Sequence, residues 1–337
     1  MLLPSSNPWI TQPTHSALVP LPTHSLWAST SGPLRPASAP LLIFFTGAGG
    51  PSASLIKLQQ ALSTFIRVLF YDRAGYDRST LPPYDAANGG ANGKDIYAQD
   101  TARDLATLLD LTGLKPPYIL AAHSYGGIPA RAFLALQPSS VAGLCLLDTA
   151  TELMLALFSR VPPLELDAVA RNVDFEALTH LREECGMSDE EWEYAAQAVP
   201  RCAEALKRED THASAYRLAG ELQTERVVMG DRPLSVVHLN MARDCRMMFD
   251  AGVALGDGTE EERSVAGEFI ERFGLFQDMI ARAQCGLSRD ARYVYYEQWG
   301  HDLPIRRPEV AAVEVKRVVE RVEENRLLSK AEYRRGI

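Results

Sequence analysis

Ala122-His123-Ser124-Tyr125-Gly126 lies between the apolar run Tyr118-Ile119-Leu120-Ala121 and the start of a helical pattern, and its reading decides the fold. A serine on a tight strand-to-helix turn has its hydroxyl pushed out of the backbone. It then lies beside the amide groups of a helix N-terminus, where developing negative charge is stabilised. Strand and helix pass close together at such a turn, so its neighbours must be small, and Ala122, Gly126 and Gly127 meet that demand.

The same alternation of buried strand and amphipathic helix extends outward in both directions. Leu41-Leu42-Ile43-Phe44-Phe45 is a short apolar run ending in Thr46-Gly47-Ala48-Gly49-Gly50, and Leu55, Leu58, Leu62 and Phe65 then share one helical face. Val68-Leu69-Phe70-Tyr71 leads into the turn Asp72 to Ser79. Ala98, Ala102, Leu105, Leu108 and Leu109 give the following helix its apolar stripe, and Gly113 is placed to end it. Beyond the serine, residues 141–147 form another buried strand that ends at Asp148. Four such strands with intervening helices predict a parallel sheet covered on both faces, with an edge hairpin near residues 17–19 and 26–28 before it.

From Thr149 to about Asp231 the pattern is helical, with a capping box at Ser188-Asp189-Glu190-Glu191. Strand character returns at residues 233–239 and 291–296, separated by a helical stretch from about Glu260 to Gln284. A closing helix after Pro308 carries Ala311, Val315, Val318 and Val322. The expected organisation is an α/β core over 1–148 and 232–337, with a helical cap inserted over 149–231.

Composition narrows the function. The chain has 337 residues, 46% hydrophobic and 23% charged, and a net charge of -9 that would repel a phosphate backbone, so nucleic acid is not an expected partner. Five scattered cysteines, with no C-x-x-C pair, suggest neither a disulfide framework nor a zinc site. Met1-Leu2-Leu3 meets Pro4 at once with no basic flank, and no run approaches the roughly 20 apolar residues of a membrane helix. A cytosolic protein without a membrane span is expected.

His301 follows the last strand in Gln298-Trp299-Gly300-His301, so Ser124, Asp148 and His301 all come after apolar runs, at the carboxyl ends where open parallel sheets bind ligands. Histidine can take a serine proton and return it near neutral pH. These residues, in the order Ser, Asp, His, resemble the α/β-hydrolase superfamily over roughly residues 25–325. The pentapeptide is similar to its nucleophile elbow, with Ala122 in place of the first glycine of G-x-S-x-G. Thr46 to Gly50 is similar to its H-G-x oxyanion loop, with Thr46 where histidine is usual, and Asp72 to Ser79 to its D-x-R-G-x-G-x-S turn. The resemblance implies a serine hydrolase acting on an ester or lactone of a small to medium apolar molecule, with no cofactor and no metal. Ser124 would be the nucleophile and His301 the base, and the backbone N–H groups of Ala48 and Tyr125 would form the oxyanion hole. Each such donor is worth about 3 kcal/mol. Asp148, in a stretch similar to the L-D-P-A of pancreatic-type lipases, is the expected acid, and Asp244, near the end of the penultimate strand, is the alternative.

Other readings compete. Gly47-Ala48-Gly49 with Asp72 imitates a dinucleotide-binding fingerprint, but Ser52 stands where the third glycine belongs. A lyase, cyclase, acyltransferase or ligand receptor would share the fold. His123 is expected to be structural, and Asp72 and Arg73 turn-forming. Met154, Leu155, Phe158 and Trp192 of the lid are candidates for an acyl pocket or for ordinary packing.

Overall fold

The apolar runs become one eight-stranded sheet in a computed structural model that describes residues 7–36, 38–87 and 93–335. The strands are β1 (Thr14–Pro20), β2 (Ser25–Ser31), β3 (Leu41–Phe45), β4 (Val68–Tyr71), β5 (Tyr118–His123), β6 (Val141–Leu147), β7 (Leu234–Leu239) and β8 (Ala291–Tyr296), in the order β1-β2-β4-β3-β5-β6-β7-β8. β1 and β2 form an antiparallel hairpin that joins antiparallel to β4, and β3 through β8 are mutually parallel. This is the α/β-hydrolase fold, a mostly parallel sheet flanked by helices.

Every residue of β3, β4 and β5 is buried, because helices cover both faces. Alternation along the strands sorts the side chains between two cores. Leu41, Ile43, Phe45, Leu120 and Ala122 pack with the helices Ala98–Thr112 and Gly127–Leu136. Leu42, Phe44, Ile119 and Ala121 face the helix Ile56–Leu62 and the closing helix Pro308–Arg335, which contributes Ala311, Val315, Val318 and Val322. Gly113, at φ +71°, ends the helix Ala98–Thr112 in the left-handed conformation that glycine adopts without penalty.

Strand order places the functional edge. β4 lies on one side of β3 and β5 on the other, so connections diverge between β3 and β5 and leave a crevice at their carboxyl ends. Thr46–Gly50 leaves β3 into that crevice, and Ser124 follows β5.

Above this edge lies a helical layer. The seven helices between β6 and β7 run from Glu152 to Ala219, and the capping box at Ser188 is present. β7 and β8 are connected by two helices, Met241–Leu255 and Glu260–Ala283. The first was not foreseen, because it starts directly at the strand end, with Asn240 accepting the Arg243 N–H as its cap. Its Ala242 and Cys245 pack with Phe269 and Phe273 of the next helix and with Phe158, Leu166 and Val169 from the earlier insertion. Helices from both connections therefore share one apolar core.

The close passage at the turn is measurable. A Cβ on Gly126 would lie 2.3 Å from the Phe45 carbonyl oxygen and 2.7 Å from that of Thr46. Gly126→Ala is expected to destabilise the protein by about 3 kcal/mol through forced overpacking. Gly267→Ala is the control, since nothing lies within 4 Å of a Cβ there, and it should stabilise its helix by up to about 1 kcal/mol. Urea midpoints compare the two; equal midpoints would refute the steric account.

Candidate active site

Ser124 sits at φ +57°, a left-handed conformation that a non-glycine residue adopts only under constraint from its surroundings. Three contacts supply that constraint. The Ser124 carbonyl accepts the Ala150 N–H at 2.9 Å, a Cβ on Gly47 would fall 2.9 Å from the Ser124 Cβ, and a Cβ on Gly127 would strike Thr149. The elbow is thus wedged between the loop after β3 and the loop after β6.

Asp148, at φ +46°, is fixed by β7 on two sides. Its N–H donates to the Val237 carbonyl at 2.7 Å and its Oδ1 accepts the Leu239 N–H at 3.1 Å. The other oxygen, Oδ2, lies 2.6 Å from His301 Nδ1. That bond fixes the tautomer, with Nδ1 carrying a proton toward Asp148 and Nε2 left for a substrate or nucleophile. Burial pulls the His301 pKa down, but the hydrogen bond and charge of Asp148 outweigh it and hold the pKa above its ordinary 6.5. Burial likewise disfavours the Asp148 carboxylate, yet the bond to His301 and its charge bring that pKa below the usual carboxylate value.

Asp244 occupies a different place. Its Oδ2 accepts the backbone N–H of His301 at 2.6 Å, and a Cβ on Gly300 would collide with its carboxylate. Of the two aspartates, Asp148 meets the imidazole and Asp244 holds the main chain that carries it. Burial pushes the Asp244 carboxyl up to about 6. The Asn240 N–H donates to the Trp299 carbonyl, and the Asn240 and Arg243 side chains donate to the carbonyls of Glu297 and Gln298, so the loop before His301 is tied to the start of the helix Met241–Leu255.

His123 has more contact with the site than its neighbouring position suggested. Its Nε2 lies 2.8 Å from the His301 carbonyl and its ring centroid 4.5 Å from that of His301. Burial first, then the charge of His301, lowers its pKa to about 3, so the ring is neutral and donates through Nε2. His301 is therefore held at its N–H, its carbonyl and its side chain.

Arg73 corrects the view of it as a turn-forming group. It is buried, and its guanidinium donates to the carbonyls of Thr46 (2.6 Å) and Gly47 (3.1 Å), to the Tyr76 hydroxyl (2.7 Å) and to Glu209 Oε1 (2.9 Å). Thr46 Oγ1, where histidine is usual, also accepts from Arg73, at 3.3 Å. No local signal pointed to Glu209, which lies in the helical insertion. Ala48 is exposed and Tyr125 buried, on the two loops that flank the crevice. Of the lid candidates, Phe158 and Leu155 pack into cores, and Trp192 packs beside Cys185, Met187 and Ala195. Met154 borders a cavity of about 30 Å³ with Asp148, His238, Met241, Phe273 and Ile280. Among the described residues no cluster of His, Cys, Asp and Glu could hold a metal ion, and no helix is long and apolar enough to cross a membrane.

A family model described as alpha/beta hydrolase fold matches residues 40–222. A protein from Hormonema carpetanum named "Probable transporter efuK" is 30% identical over 332 residues, covering 96% of this chain and 45% of its own, so the chain spans less than half of that relative. An "AB hydrolase superfamily protein" from Gibberella zeae is 27% identical over 333 residues, 94% of this chain and 99% of its own. Among solved structures, one named "putative epoxide hydrolase" from Pseudomonas aeruginosa has a TM-score of 0.59 at 15% identity, covering 94% of this chain and 98% of that one. That last likeness is one of fold.

Proposed function

The chain belongs to the alpha/beta hydrolase fold family; from that premise we propose that it is a serine hydrolase cleaving an ester or lactone of a small to medium apolar molecule. The observation that carries the reading is the 2.6 Å bond between His301 Nδ1 and Asp148 Oδ2 at the sheet edge where the constrained Ser124 turn also lies.

In this mechanism Ser124 Oγ attacks the carbonyl while His301 Nε2 takes its proton, and Asp148 stabilises the imidazolium that forms. The carbonyl oxygen becomes an oxyanion facing the N–H groups of Ala48 and Tyr125. His301 returns the proton to the leaving alcohol, then draws one from water, whose oxygen displaces Ser124 Oγ from the acyl carbon as His301 hands that proton back to it. The helical layer over 149–231, with the helices after β7 that pack into it, serves as the cap. Apolar side chains near Asp148, among them Met154, Met241, Phe273 and Ile280, support the choice of an apolar acyl group. The five free cysteines fit a cytosolic setting.

A fluorophosphonate probe should label Ser124, located by peptide mapping, and a panel of p-nitrophenyl esters and lactones should show turnover with ¹⁸O from labelled water in the acid product. Neither label nor turnover would refute the reading, and turnover without ¹⁸O would reassign the second step to another acceptor. Turnover needs neutral His301, so kcat/KM should rise with pH to a plateau through an apparent pKa above 6.5. A midpoint at or below 6.5 would contradict the coupling to Asp148.

A further inference from the structure

Glu209 enters the protein core from the helical insertion, between the helices Ala203–Arg208 and Thr211–Ala219. Its backbone is pinned to the stretch before the helix Ala98–Thr112. Ile96 forms a β-bridge with it, Lys94 Nζ donates to its carbonyl at 2.7 Å, and the next N–H, of Asp210, donates to the Ile96 carbonyl. The neighbouring Arg208 grips Asp95 with two hydrogen bonds, at 2.7 and 2.6 Å. These contacts hold the main chain from which the Glu209 side chain extends.

It reaches Arg73 and Tyr76. Arg73 Nε donates to Oε1 at 2.9 Å and the Tyr76 hydroxyl donates to Oε2 at 2.7 Å. Those two residues in turn hold the loop after β3. Arg73 binds the Thr46 and Gly47 carbonyls, and the Tyr76 hydroxyl accepts the Gly49 N–H at 2.9 Å. Ala48 is the residue left between these grips. Arg73, Tyr76 and Glu209 are each 3% exposed or less, so solvent screens none of these bonds. Burying a charged pair is weak evidence for a stabilising role, because desolvation offsets most of the attraction. A network that costs this much desolvation and ends on both sides of one peptide N–H is better accounted for by orientation.

We propose that Glu209 is a positioning residue, through which the helical insertion sets the Thr46–Gly49 loop so that the Ala48 N–H is aimed at the developing oxyanion. The inference rests on the acyl-enzyme reading above. Without Glu209, Arg73 loses the one ion-pair partner it has among the described residues and Tyr76 its acceptor, so the Thr46 and Gly47 carbonyls that Arg73 holds and the Gly49 N–H that Tyr76 holds are less firmly fixed. The consequence falls on the transition state, where oxyanion donors act, and leaves substrate binding in the ground state nearly untouched.

The test compares wild type, Glu209→Gln, Tyr76→Phe and Ser124→Ala with p-nitrophenyl butyrate. Each rate is divided by the number of sites that a fluorophosphonate labels at completion, except for Ser124→Ala, whose rate is taken per mole of protein. Per labelled site, Glu209→Gln should lower kcat about 30-fold with KM within twofold. A trifluoromethyl ketone that forms a tetrahedral adduct should lose affinity in proportion to kcat/KM. A loss confined to folding would instead lower the count of labelled sites and leave kcat per site unchanged, which would overturn the proposal, as would a rise in KM that accounts for the whole effect. Tyr76→Phe, which removes only the hydroxyl that holds Gly49, should lower kcat about tenfold and decides the matter if Glu209→Gln does not fold. Ser124→Ala separates the two readings: if it keeps wild-type activity, the acyl-enzyme itself is wrong. If it is inactive while both other variants match wild type, only the positioning role fails.

Discussion

Ser124→Ala is expected to lower kcat for a p-nitrophenyl ester by about 10⁴-fold or more, with KM little changed. In the proposed mechanism the hydroxyl oxygen bonds to the acyl carbon, so its loss removes the covalent route entirely and leaves only what the oxyanion donors and binding supply. The substitution is also a clean one. Alanine keeps the Cβ that packs at Gly47 and bears the same left-handed backbone at φ +57°, so the thermal midpoint should stay within about a degree or two of wild type. Steady-state kinetics with calorimetry on the same sample reads both quantities. Activity equal to wild type would remove Ser124 from the chemistry, whatever the geometry of His301.

Asp148→Asn should cost about 10³ to 10⁴ in kcat, because an amide facing His301 Nδ1 no longer stabilises the imidazolium and can hold the ring in the wrong tautomer. It should also move the pH midpoint of kcat/KM downward, since the bond and charge that raise the His301 pKa are gone while burial, which lowers it, persists. Asp244→Asn should cost only about tenfold. Its oxygen accepts a main-chain N–H, a task an amide oxygen performs nearly as well, and burial already disfavours the charge that asparagine lacks. The ratio of the two losses is the measurement that matters. If Asp244→Asn proves the more damaging, the acid is Asp244 and the contact between Asp148 and His301 is structural.

Much of this arrangement was legible in the sequence for identifiable reasons. The strands on either side of the crevice are unbroken apolar runs, and the turn at Ser124 announces itself by small residues, because both signals are local. The helix Met241–Leu255 is not legible there because no polar linker separates it from β7, so strand and helix read as one segment. Asp148 and Asp244 both follow strands, and only the geometry distributes them, one to a side chain and one to a main chain. Asp244 lies one turn inside its helix, and that rotation aims it at Gly300 and His301. Arg73 and Glu209 are 136 residues apart, and a pairing at that distance leaves no trace in periodicity or spacing. Arg73 looked like any charged residue in a turn until the insertion closed over it.

Ser124 and Asp148 share a backbone region that costs a side-chain-bearing residue of order 1 kcal/mol or more. Directed evolution therefore faces opposing gradients in this protein. Selection for heat resistance alone favours glycine at 124 and glycine or asparagine at 148, where the backbone relaxes, and each step would remove a group that the proposed mechanism needs. A campaign that scores only survival at high temperature would thus converge on well-folded, inert variants, and activity has to be part of every round.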